Sequence, residues 1–148
     1  MTIIVAICSL IVACASLKFN YDLQTRQTLN LYIQRCNDAT KDNGLKPSRE
    51  SLGTVITSCC KAHEYIKNYS PPLFLRYVSL KNLETQKIEL KNYMWDLLPF
   101  AVWEEIIHKE KLTEFLENNG NSDRDKSVLV NQYKDLSRDF SDQIKSAG

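Results

Sequence analysis

At 148 residues, 43% of them apolar and 25% charged, the chain is long enough to bury one core and short for more than one. Nineteen Lys and Arg stand against eighteen Asp and Glu, an even mixture without the basic excess that a nucleic-acid surface needs. Charge therefore names no partner, and no nucleic acid is expected among them.

Met1 to Leu17 carry no charged side chain, and the apolar run inside them leads to Ala13-Cys14-Ala15. Small residues at Ala13 and Ala15 are what signal peptidase requires, so residues 1–15 read as a cleaved secretory signal and residues 16–148 as a single helical domain starting at Ser16. A membrane helix needs about 20 apolar residues, and Lys18 closes this run early, so no stable membrane insertion is expected. Ile11-Val12-Ala13-Cys14 also fits a lipoprotein lipobox, but the basic residues that normally open such signals are missing. The reading implies a secreted, extracellular protein whose cysteines meet an oxidising environment.

With four Gly and four Pro, the chain has few breakers, which favours long helices. Leu29, Tyr32, Ile33 and Cys36 recur at helical spacing between Asp22 and Thr40, and Lys41 to Gly44 end that element. Ser48, just after Pro47, is a candidate cap for a second helix over 48–69. Leu52, Val55, Ile56, Cys59, Ala62, His63 and Ile66 form its apolar stripe. Ser70-Pro71-Pro72 terminates it, because proline lacks the amide donor and disfavours helix in the residue before it.

A third helix is predicted over 73–98, with a break allowed near Lys81-Asn82. It offers Leu73, Tyr77, Leu80, Leu83, Leu90, Met94 and Leu97 to the core. Pro99 suits the first turn of a fourth helix, which Val102, Trp103, Ile106, Ile107, Phe115 and Leu116 carry to a stop at Asn118-Asn119-Gly120. A fifth opens at Ser122 to Asp125 with capping-box spacing and runs through Leu129, Tyr133, Leu136, Phe140 and Ile144. No segment alternates like a strand. The expectation is an all-α protein, an irregular bundle of about five helices with antiparallel neighbours.

Removal of the signal leaves three cysteines. Cys36 and Cys59 lie on the apolar stripes of adjacent helices, which makes a disulfide between them natural. Cys59 and Cys60 point about 100° apart on a helix, so Cys60 is left over. It reads as a buried free thiol, or as an intermolecular disulfide that would make a covalent homodimer.

Catalytic and metal-binding sets are incomplete. Cys59, Cys60 and His63 share one helical turn, yet zinc needs three or four ligands, and His108 is the sole other histidine. Glu105-Ile-Ile-His108 matches half of a di-iron pair whose second copy is absent. Cys60 and His63 lack the third group and the oxyanion loop of an activated nucleophile. No phosphate loop or Ca loop occurs. A non-enzymatic protein without cofactor or metal is expected.

Asn68-Tyr69-Ser70 is the single N-glycosylation sequon. Tyr93 to Trp103 is the densest apolar stretch after the signal. Part of it must be core, and Trp95, Phe100 and Trp103 are the candidates for an exposed aromatic anchor on a partner. Tyr65, Tyr69, Phe74 and Tyr77 form a second aromatic group around the Pro-Pro turn. The expected function is binding to an extracellular protein, in the format of secreted effectors, cytokines and salivary or venom inhibitors, which these features resemble only at fold level. The alternative is a carrier holding a hydrophobic small molecule in a helix-lined cavity.

Overall fold

The computed structural model describes residues 2–41, 51–79, 81–107 and 123–147. Among these there are six helices and no strand: α1 (Thr2–Thr40), α2 (Leu52–Lys67), α3 (Leu73–Val78), α4 (Leu83–Leu97), α5 (Phe100–Ile107) and α6 (Asp123–Ala147). The all-helical class is as the periodicity indicates.

The first helix differs from expectation. It begins at Thr2 rather than near Asp22 and runs 39 residues without a break, about 58 Å at 1.5 Å per residue. No Gly or Pro occurs before Gly44, so nothing in the chain interrupts the hydrogen-bond ladder across Ala15-Ser16. The C-terminal half of α1 supplies Leu29, Ile33 and Cys36 to the core, whereas residues 2–17 are exposed apart from a half-buried Cys14. An 18-residue stretch here is long and apolar enough to cross a membrane, and none of it is buried. Length therefore does not exclude a span, because the run resumes beyond Lys18 at Phe19 and a lysine stem can itself lie along apolar surface. The helix fits a signal sequence and a membrane span equally.

α2 begins at Leu52, where the Val55 amide donates to the Ser51 carbonyl at 3.0 Å. The predicted cap Ser48 lies outside the described residues. The helix closes at Lys67, and the Asn68 amide donates to the Glu64 carbonyl at 2.9 Å. The predicted third helix is divided. Asn82 Oδ1 accepts from the Thr85 amide at 2.7 Å, an N-cap that starts α4 afresh and leaves α3 only six residues long. At Pro99 the carbonyl accepts the Val102 and Trp103 amides. Proline thus stands as the cap of α5 and not within its first turn, while Leu98 before it is held extended at φ −97° and ψ 131°. The predicted continuation to Asn118, the stop at Asn118 to Gly120 and the Ser122 cap fall outside the described residues.

The core lies where α2 meets α1 and α6. α2 gives it Val55, Ile56, Cys59, Cys60 and Ile66, and α4 gives Met94. Val102, Trp103 and Ile106 come from α5, and Tyr133, Leu136 and Phe140 from α6. Leu73, Tyr77 and Leu97, expected inside, are instead exposed, and Leu75 takes the buried place on α3.

Candidate functional site

The stripes of α1 and α2 bring Cys36 and Cys59 together with their sulfurs 3.0 Å apart, and both are thiols here. Cys36 donates to the Val55 carbonyl at 3.6 Å, so the Cys59 S–H is the donor between them. That hydrogen bond, with burial, pushes the Cys59 pKa well above the thiol range. Cys60 is 1% exposed, and burial raises its pKa to about 12. It is a small hydrophobe in the core, out of reach of a second chain, so its burial argues against the intermolecular link.

Next to Cys60 on the same helix, His63 is buried edge-on against Phe140. Its Nε2 lies 3.0 Å from Asp139 Oδ2. Lys91 donates to that same oxygen at 2.8 Å. One carboxylate from α6 thus ties α2 to α4. Burial lowers the His63 pKa more than Asp139 raises it. For Asp139, the hydrogen bonds from Lys91 and His63 outweigh burial and keep the carboxyl below its usual range. A catalytic thiol needs a lowered pKa, and the Cys60-His63 pair has a raised thiol and an imidazole occupied elsewhere. Among the described residues, no group of three or more His, Cys, Asp and Glu could hold a metal ion. His108 lies outside them, as does the side chain of Glu105.

The three candidate anchors separate. Trp103 is 1% exposed, with its ring 4.5 Å from Phe140 and 5.1 Å from Trp95. Its Nε1 donates to the Trp95 carbonyl at 3.3 Å. Trp103 is therefore a core residue and cannot be an anchor in this structure. Trp95 is half-buried over the same stack. Phe100, one turn before Trp103, is 48% exposed, and Leu97 beside the Pro99 turn is also exposed. The α4–α5 corner thus presents two apolar side chains on a backbone fixed by Pro99 and by stacked rings.

Asn68 and Ser70 of the sequon are exposed, with Tyr69 buried between them. Of the second aromatic group, Tyr69 donates to Gln86 Oε1 at 3.2 Å and packs near Tyr21. Tyr65 is half-buried. Phe74 and Tyr77 face outward on α3 with Leu73 and Val78. Sequence periodicity missed this face. The signal that could have found it is Pro71-Pro72 followed by the Asn82 cap, since a helix so short has one inward position per turn to offer.

Clefts among the described residues have mixed walls, with charged and apolar side chains together. One of about 240 Å³ is lined by Lys18, Asp22, Arg26, Lys81, Glu89 and Tyr93. Another of about 170 Å³ lies between α2, α4 and α6, with Ile66 and Ile88 on its walls beside Lys67, Lys91, Asp135 and Asp139. Both carry several charged side chains on their walls, which suits a wholly hydrophobic small molecule poorly.

No protein-family model matches this sequence, and comparisons with curated proteins and with solved structures return no match.

Proposed function

We propose that the apolar half of α1 delivers this chain into the secretory route, and that the bundle works outside the cytosol as a non-enzymatic domain that binds another protein. The reading needs delivery; it does not depend on whether α1 is then removed. The observation that carries it is the α4–α5 corner. Phe100 and Leu97 are exposed at a corner whose neighbouring Trp95, Trp103 and Phe140 rings are stacked on one another. A preorganised aromatic loses little entropy when a partner covers it, which is why such residues dominate binding energies.

A photo-crosslinking benzoyl-phenylalanine at position 100, in full-length protein applied to the outer face of intact cells, tests the reading. A discrete adduct should form from position 100 and not from the exposed control position 88 on α4. Equal labelling from both, or no adduct from 100, would refute it.

A further inference from the structure

We infer that the outer face of α3 is a membrane-interface surface: with the apolar half of α1 retained and crossing a bilayer, Leu73, Phe74 and Tyr77 lie among the lipid headgroups beside it. The chemistry is apolar contact with the upper acyl chains, and the occupant is the lipid of the leaflet that α1 leaves as it enters the bundle.

Leu73 is 71% and Tyr77 84% exposed, and Phe74 and Val78 are also open, while Leu75 alone of this helix is buried. In water this is a poor exchange, since the helix shows more apolar surface than it hides. Its position explains the arrangement. α3 packs on α1, and the Tyr69 ring, just before the Pro-Pro turn, lies 6.0 Å from Tyr21. Tyr21 is within about 5 Å, along the helix axis, of Lys18, the first charge after the apolar run. An apolar stretch of 18 residues that no other element covers has to leave water or be removed. If it leaves water, the boundary of the lipid falls at the level of α3.

The residue types match that boundary. Aromatic side chains collect where a membrane helix meets the headgroups, and cations sit there with their stems along apolar surface. Here Phe19, Tyr21, Phe74 and Tyr77 supply the rings. Lys18 and Arg76 supply the charge, both half-buried. Lys18 is paired with Asp22 at 2.6 Å. Arg76 donates to the Pro71 carbonyl at 3.0 Å and to Ser70 Oγ at 2.5 Å, which fixes α3 in the attitude that turns its apolar face outward.

The test uses the full chain with α1 intact, reconstituted in phosphatidylcholine vesicles brominated near the headgroup end of the acyl chains. Tryptophan is placed by Tyr77→Trp or, as a control, by Leu31→Trp, an exposed position on α1 about 15 Å further from the boundary. The emission of native Trp95 and Trp103 is subtracted. Quenching of Tyr77→Trp should exceed that of Leu31→Trp by about twofold or more, because only an interfacial side chain reaches the bromine. Phe74→Trp should behave like Tyr77→Trp. Equal quenching at positions 77 and 31 would overturn the proposal, including the case in which a protein covers α3. Phe100→Ala should leave the difference unchanged, which separates this outcome from any failure of the α4–α5 corner as a protein-binding site.

Discussion

His63 sits between Phe140 and Asp139, with Lys91 on the far side of the shared carboxylate and Asp135 within electrostatic reach. Burial lowers its pKa from 6.5 against the pull of Asp139, so the fold prefers the neutral ring. The unfolded chain takes up a proton near pH 6.5, and the folded chain does so only at lower pH. The stability held by neutral His63 is therefore complete above about pH 6.5 and is lost progressively as pH falls below it. Asp139, held below 3.8, adds a second loss at more acid pH. The urea midpoint should be level from about pH 7 to 8 and decline below about 6.5, and His63→Phe should flatten the first part of that decline. A decline unchanged in His63→Phe would assign it to other groups. Trp103 and Phe100 make a second contrast at this scale. Trp103→Ala removes a ring stacked on two others and should cost about 3–5 kcal/mol. Phe100→Ala alters a half-exposed side chain and should stay within about 0.5 kcal/mol. Urea unfolding of both variants at neutral pH measures the difference, and comparable losses would place Phe100 in the core.

α1 joins two segments with different duties in one unbroken helix. Residues 2–17 bury nothing beyond part of Cys14, whereas Thr25, Leu29, Ile33, Cys36 and Thr40 face the bundle. A chain begun at Ser16 should thus keep the unfolding free energy of the full chain to within about 0.5 kcal/mol and need no detergent. Urea unfolding of the two chains in the same mild detergent checks the first point. A large loss would mean that the apolar half packs on the bundle. The α1, α2 and α6 stripes were legible because each long helix repeats one inward face: Leu29, Ile33 and Cys36; Val55, Cys59 and Ile66; Tyr133, Leu136 and Phe140. Periodicity has less to work with in short helices. α3 places only Leu75 inward, so spacing alone assigns Leu73 and Tyr77 wrongly; at the end of α4 it assigns Leu97 inward where Leu98 is buried instead, and Trp103 is indistinguishable from Phe100 until the Pro99 cap sets the phase of α5. The Asn82 cap was readable as Asn-Leu-Glu-Thr but was outweighed by the apolar residues on both sides of it. The N-terminal boundary misled for a different reason. A cleavage site is a recognition signal, and no helix breaker accompanies it, so the backbone runs straight through Ala15-Ser16.

At the scale of the whole molecule, two features report the compartment in which the bundle would work. Asn68 is exposed at the end of α2, open to a glycosyltransferase that requires an accessible sequon. Cys36 and Cys59 lie with their sulfurs 3.0 Å apart across 23 positions of chain, so an oxidising compartment would need little movement to join them, with a gain of about 3 kcal/mol on the chain-entropy account. The cytosol would leave Asn68 bare and both thiols reduced. The two reporters are chemically independent. Intact mass of the protein made in eukaryotic cells, kept without reductant, should show a glycan that Asn68→Gln removes and the loss of two hydrogens that Cys36→Ser prevents. Closure without a glycan would still place the bundle outside the cytosol, with Pro71 hindering transfer to the neighbouring sequon. Absence of both would put the bundle in a reducing compartment and remove the extracytosolic partner from the proposed function. The apolar half of α1 would then have to act as an anchor facing the cytosol, and the α3 face would still meet lipid, on the opposite leaflet.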